Sequence, residues 1–372
     1  MIDVKKYDYF AGGKEDFYKK LSQESIESVL CQGSHWKKPP FVTIILTTYK
    51  RPEMLKQALD SALDQKGFDD YQIIVADNEG KPLEEETPTA KLLKNYQNDK
   101  IIYYRHVQGV LLRTDSAVRL ARSPWIVPLH DDDLLAANHL AIMTGIVKKH
   151  KEIKFLGCRM KSFSSEQELE MEKKSCVYDY VVGKNLKDTT CLGGWAGWLG
   201  SLISRKHYIA TGGEPTMVKG IPDMIMVAKF LHRFGTYKCI SNKPLYYYRQ
   251  GEQQASFEIT LNGKIEKSRV EEYQFYKYVI NKYHKLTHRI WERNIAYTTL
   301  EVCERYSKSK IYHAKINIDR VISESGMPAD VKEKNFRYHI TKGIFGVYRK
   351  WIQCLDDVYV GKLKKSDIHI IV

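Results

Sequence analysis

Pro124-Trp125-Ile126-Val127-Pro128-Leu129-His130-Asp131-Asp132-Asp133-Leu134-Leu135-Ala136-Ala137-Asn138-His139-Leu140 is the stretch that decides how this chain folds. Its first six residues are strand-like, the residues from Leu134 onward are helix-like, and three carboxylates fill the junction. In open α/β sheets, the C-terminal edge of the strands is where ligands bind. Clustered acids at such an edge repel one another unless a cation or strong hydrogen bonds offset the repulsion. A divalent metal with oxygen ligands is the simplest partner. The competing reading is helix capping, in which carboxylates meet the free N–H groups and positive dipole end of a first turn. Capping uses one acid or two, and three are present.

Upstream, Pro39-Pro40 marks a boundary, because proline stops helices and extends its predecessor. Residues 1–38 before it read as a polar, helical N-terminal extension. Phe41 to Thr48 is a β-branched run suited to a buried parallel strand, and Pro52 to Gln65 has helical spacing with Leu55, Leu59 and Ala62 inward. Gln72 to Ala76 repeats the strand pattern and ends at Asp77. A loop and helix near 80–97, a strand at Lys100–Arg105 and a helix at Thr114–Ala121 follow. Such alternation implies an α/β fold with a doubly wound, mostly parallel sheet.

Downstream of residue 150 the alternation loosens. Phe155 to Met160 is strand-like, and 161–175 reads as a polar loop. The block 191–256 holds Gly193-Gly194-Trp195-Ala196-Gly197-Trp198, a strand at Gly200–Ser204, the turn Thr211-Gly212-Gly213, a helix at Asp223–Phe234 and the strand Pro244–Arg249. From 259 onward the spacing is helical and rich in Tyr, Lys and Arg. The chain thus divides into an extension at 1–38, an α/β domain at 39–258 and a basic helical region at 259–372.

With 372 residues the chain has the length of two or three domains. Its seven cysteines are odd in number and form no C-x-x-C pair, which argues against a disulfide framework or a zinc site and for a reducing cytosol. The first residues lack the apolar core of a signal peptide, and no stretch approaches the ~18 apolar residues of a membrane span. A cytoplasmic protein is expected, with the inner face of the membrane as the alternative location. The formal net charge is +14, and residues 259–372 carry 22 Lys and Arg against 13 Asp and Glu. An acidic partner follows: nucleic acid, an anionic membrane surface or a phosphorylated ligand.

Taken in order, these blocks resemble a family 2 glycosyltransferase with the GT-A fold. Val42 to Pro52 is similar to that family's first nucleotide-binding element, and Ile73-Ile74-Val75-Ala76-Asp77-Asn78 to its second strand. Gly109 to Asp133 is similar to the stretch ending in its D-x-D motif, and Gly212-Gly213 with Ile221-Pro222-Asp223 to its late Gly-Gly and acidic pair. The resemblance implies a nucleotide site with Thr47, Tyr49, Arg51, Asp77, Arg113 and Asp131. It implies Asp132 as the first ligand of Mn²⁺ or Mg²⁺, Asp131 as a ribose or metal contact, Asp133 as the third acid of the metal site, and Asp223 as the catalytic base. The donor it implies is a UDP-sugar, and the product part of a bacterial surface polysaccharide of capsule or lipopolysaccharide type. Two positions depart from the pattern: Pro222 replaces an acid, and the late His after Tyr248-Arg249 is missing.

The chemistry agrees with that reading. A nucleoside diphosphate leaves with two negative charges that a divalent cation stabilises, and an acceptor hydroxyl loses its proton to one carboxylate as it attacks. In-line attack with a single base inverts the anomeric carbon. Trp195 is the candidate for stacking on an acceptor sugar, with Trp198 behind it and core packing the competing role for both. His130 is either structural or a nitrogen ligand of the metal. The segment Lys342 to Trp351 suits a helix on an anionic leaflet beside a lipid-linked acceptor, a homodimer contact, or a solvated cationic face. Two other functions stand against the enzyme. One is a noncatalytic nucleotide-sugar-binding protein. The other, disfavoured by the acids at the strand edge, is a nucleic-acid-binding protein.

Overall fold

The computed structural model describes residues 28–106, 114–165, 178–184, 197–213, 234–241, 243–251, 264–283, 288–308, 315–333 and 337–344, together with residues 169, 223, 226, 227 and 230. The chain begins with β1 (Ser28–Gln32), β2 (Val42–Thr48), α1 (Pro52–Leu63), β3 (Tyr71–Asp77), α2 (Pro88–Leu93), β4 (Ile101–His106), α3 (Thr114–Leu120) and β5 (Trp125–His130). Then come β6 (Leu134–Leu135), α4 (His139–Lys149), β7 (Phe155–Gly157), β8 (Met160–Phe163), β9 (Tyr178–Lys184), β10 (Leu202–Ser204), α5 (Arg205–Thr211), β11 (Thr236–Ser241) and β12 (Tyr246–Arg249). Two long helices, α6 (Lys264–Tyr283) and α7 (His288–Lys308), and the shorter α8 (Ile318–Ser325) follow.

β2 and β3 are buried at every residue, as parallel strands covered on both faces must be. Their side chains alternate between two cores. Ile44, Leu46, Ile73 and Val75 face α1 and α4, whereas Ile45, Ile74 and Ala76 face α3 and the helical residues Met226, Val227 and Phe230. Each fully buried aliphatic side chain contributes about 1.5–3 kcal/mol. The strand order is β1-β4-β3-β2-β5-β10-β7-β11-β9, with β2, β3, β4, β5, β7 and β11 parallel and β1, β10 and β9 opposed. A small second sheet, β6-β12-β8, stands at the end of β5. Tyr273, Ala296, Tyr297 and Val321 of α6, α7 and α8 build a separate helical core.

Three expectations are corrected. Ser28–Gln32, placed in a helical extension, is an edge strand paired antiparallel with β4; residues 1–27 lie outside the described residues. Leu134-Leu135 does not open a helix but pairs with Tyr247 and Tyr246 of β12, and helix α4 starts only at His139. Long-range pairing with β12 overrides the local helical preference of the Leu-Leu-Ala-Ala run. Met160–Phe163, at the start of the expected loop, is likewise a strand, drawn into the small sheet by β12.

Candidate functional site

The corrected boundary removes the capping explanation. Asp131, Asp132 and Asp133 form a turn between β5 and β6, five residues before the Asn138 cap of α4, and all three are buried. Each carboxylate is held differently. Asp131 Oδ2 accepts from Thr48 Oγ1 at 2.9 Å and from the Tyr49 N–H at 3.1 Å, while its Oδ1 lies 3.3 Å from Arg51 Nη2. Asp132 Oδ2 accepts from Arg51 Nη1 at 2.8 Å, and its carbonyl accepts from Arg249 Nε at 2.7 Å. Asp133 accepts from the Tyr246 hydroxyl at 2.6 Å and from the Arg249 N–H at 2.8 Å.

Burial raises the proton affinity of Asp131; the Arg51 charge opposes that rise and the Asp132 charge adds to it. Burial, and then the charge of Asp132, lifts Asp133 well above the ordinary carboxylate range. Crowded acids of this kind favour a cation. His130, Asp132 and Asp133 each offer a ligand atom within 4.8 Å of the others, with His130 Nδ1 4.0 Å from Asp133 Oδ2. Asp131 Oδ1 is buried and accepts no hydrogen bond among the described residues. A three-residue donor set of imidazole and carboxylates, beside a buried Asp131 oxygen whose described partner is the Arg51 ion pair, fits a divalent ion.

Asp77 ends β3 beside the ends of β2 and β5. It is buried, with Oδ2 accepting from the Tyr103 hydroxyl at 2.8 Å and Oδ1 from the Glu79 N–H at 2.9 Å. Thr47 is buried in β2 opposite Ala76 and His130. The turn after β2 carries Tyr49, Lys50 and Arg51, and Lys50 has φ 54°, the left-handed region that β-carbon sterics disfavour. A strained turn beside buried charges suits a ligand site.

Asp223 is helical and partly exposed. Its negative charge reaches α6, for Glu272 is raised above the ordinary Glu range by burial, opposed by Arg269, and raised again by Asp223. Arg269 Nη1 stands 2.5 Å from Glu272 Oε2. Helix α6 therefore borders the candidate base. Trp198 is 3% exposed and stacks on Tyr208 at 5.4 Å, a core role. Arg113, Trp195 and Pro222 lie outside the described residues.

Sequence reasoning passed over Thr48, Tyr246, Arg249 and Gly200. The first three brace the acids. Gly200, at φ 67°, lies so close to Tyr246 that an added β-carbon would stand 2.9 Å from Tyr246 Cγ. The strand-like Tyr246-Tyr247-Tyr248-Arg249 run was the available signal, since a polar residue beside aromatics at a strand end often faces a site. Gly213 sits as close to Asp115, where an added β-carbon would stand 2.9 Å from the carboxyl carbon, so the Gly-Gly turn docks against the start of α3.

The fold is that of the GT-A glycosyltransferases. S. aureus TarS, residues 1–349, matches with TM-score 0.55 at 12% identity, covering 87% of this chain and 92% of that one. The same protein in complex with UDP matches at TM-score 0.51 and 12% identity, with the same coverage of both chains. Residues 43–200 match the model described as glycosyl transferase family 2. An uncharacterized glycosyltransferase of Methanocaldococcus jannaschii is 29% identical over 122 residues, which are 32% of this chain. The match spans 40% of that relative's length.

Proposed function

We propose that the protein transfers a sugar from a nucleotide-diphosphate donor, a UDP-sugar, to a hydroxyl of a glycan or lipid-linked acceptor, with inversion. The observation that carries this reading is the buried acid turn beside Asp77 at the C-terminal edge of β2, β3 and β5. Thr47, Tyr49 and Asp77 line the pyrimidine end. Each Asp77 oxygen keeps a second lone pair for a base N–H. Asp131 faces the ribose, and Arg51, with Arg113 carried over from the family pattern, faces the phosphates. Asp132 and Asp133, with His130 beside them, hold Mn²⁺ or Mg²⁺. Bound there, a divalent ion would supply positive charge to offset the charge of the departing diphosphate.

Asp223 takes the acceptor's proton as the hydroxyl oxygen bonds to the anomeric carbon and the carbon–phosphate-oxygen bond breaks. Trp195 is the candidate for stacking on the acceptor sugar. A surface polysaccharide product, such as capsule or lipopolysaccharide, is the acceptor class the family resemblance supplies. Among the described residues no helix is long and apolar enough to cross a membrane.

An Asp223→Asn protein tests the base. UDP should bind as in wild type, while UDP release from UDP-glucose or UDP-N-acetylglucosamine falls about 10²–10⁴-fold, the usual contribution of a positioned base. Wild-type turnover in that variant would remove Asp223 from the chemistry. UDP binding with no turnover in either protein, over a panel of acceptors, would favour the noncatalytic binding protein.

A further inference from the structure

Two arginines meet the acid turn, and they are held in different ways. Arg249 is locked. Its Nε donates to the Asp132 carbonyl at 2.7 Å, its Nη2 donates to Gln57 Oε1, and its guanidinium lies 4.6 Å from the Phe163 ring centre. None of these bonds uses a carboxylate. Arg51 pairs with carboxylates of the turn, Asp132 Oδ2 at 2.8 Å and Asp131 Oδ1 at 3.3 Å, and its side chain is 17% exposed.

Those oxygens belong to the acids assigned to the cation and the ribose. A divalent ion brought to Asp132 meets the positive guanidinium at hydrogen-bond range of the same carboxylate, and like charges so placed repel strongly where water is scarce. The carboxylates need no Arg51 to stay in position. Asp131 Oδ2 remains held by Thr48 and the Tyr49 N–H, and the Asp132 backbone remains held by Arg249. Nor does the backbone of Arg51 have to move, because its carbonyl already accepts the Leu55 N–H in the first turn of α1. Only the side chain must swing, and a diphosphate arriving at this edge offers a bidentate partner for a guanidinium.

We propose that Arg51 is an exchangeable counter-ion that couples the two halves of donor binding: it pairs with Asp131 and Asp132 until a divalent cation takes the Asp132 carboxylate and the nucleotide reaches Asp131, and then pairs with the donor's diphosphate. The inference rests on the donor-site reading above and adds a thermodynamic consequence. Cation and nucleotide each bind better in the presence of the other, because each relieves the same displaced charge, and the coupling is reciprocal.

The test is a Mn²⁺ titration of the full chain, with and without UDP, following free Mn²⁺ by electron paramagnetic resonance in wild type and Arg51→Met. Without UDP, Arg51→Met should bind Mn²⁺ at least about fivefold more tightly than wild type, since the competing charge is gone. UDP should tighten Mn²⁺ binding about tenfold or more in wild type and clearly less in the variant. Arg51→Lys keeps the charge and loses the fork, so its Mn²⁺ affinity without UDP should fall between the two; it serves if Arg51→Met does not fold. Mn²⁺ binding by Arg51→Met, or by Arg51→Lys where Arg51→Met does not fold, that is no tighter than wild type overturns the exchange and leaves the donor site standing. Absence of Mn²⁺ binding in wild type, with and without UDP, overturns the metal reading on which the exchange rests.

Discussion

Arg51 Nη1 stands 2.8 Å from Asp132 Oδ2 in the acid turn, and Arg320 Nε stands 2.6 Å from Glu324 Oε1 on α8. The distances are alike, but the side chains are 17% and 8% exposed in the first pair and 62% and 45% in the second. On the helical lobe water screens the charges, and such pairs contribute about 0–1 kcal/mol. In the turn between β5 and β6 the same chemistry is desolvated, and burial raises the proton affinity of Asp131 and Asp133. Burial decides which charges in this molecule are poised to do chemistry.

The strongest strain on that contrast comes from unbalancing the buried side. Gly200→Ala would push a β-carbon into the Tyr246 ring at a backbone angle that suits glycine, and the ring carries the hydroxyl that holds Asp133. A loss of about 1–3 kcal/mol in unfolding free energy is expected, as for other overpacked cores, together with weaker Mn²⁺ binding. Denaturant melts and metal titration read the two effects. Tyr246→Phe leaves Asp133 Oδ2 without its phenol donor, a cost of about 1–3 kcal/mol, and the loss should be smaller at acid pH, where Asp133 takes a proton.

A pH titration sharpens the comparison further. His139 is fully buried, and burial lowers it to about 4 from 6.5 although its Nε2 is 2.7 Å from the Gly200 carbonyl. Its folded value is depressed, so the unfolded chain takes up the proton first. The stability contribution is present above pH 6.5 and is lost as pH falls toward 4, by up to about 3 kcal/mol. His139→Gln should flatten that part of the curve. The smallest effect belongs to the exposed side: Arg320→Ala should leave the denaturant midpoint close to that of wild type, and closer still in high salt.

Much of the sheet was legible because β2, β3, β4 and β5 are continuous apolar runs separated by helices with a clear inward face. β6 was not. A two-residue strand has no period of its own, and it exists because Tyr246 and Tyr247, more than a hundred residues later, pair with it. β1 escaped for a related reason, since an edge strand with mixed exposure carries no apolar run. In the site, the acids announced themselves as a cluster, but their division of labour did not. Asp133 is clamped by Tyr246 and Arg249, and Asp131 by Thr48 and the Tyr49 backbone, through contacts that only the folded chain brings together.

The claim at the centre of this account is that the acid turn holds the cation that binds the donor's diphosphate. Calorimetric titration of UDP into wild type and Asp132→Ala, each with and without Mn²⁺, addresses it directly. The account predicts Mn²⁺-dependent UDP binding in wild type and its loss in the variant. UDP binding that is equal in both proteins, or indifferent to Mn²⁺, would contradict it.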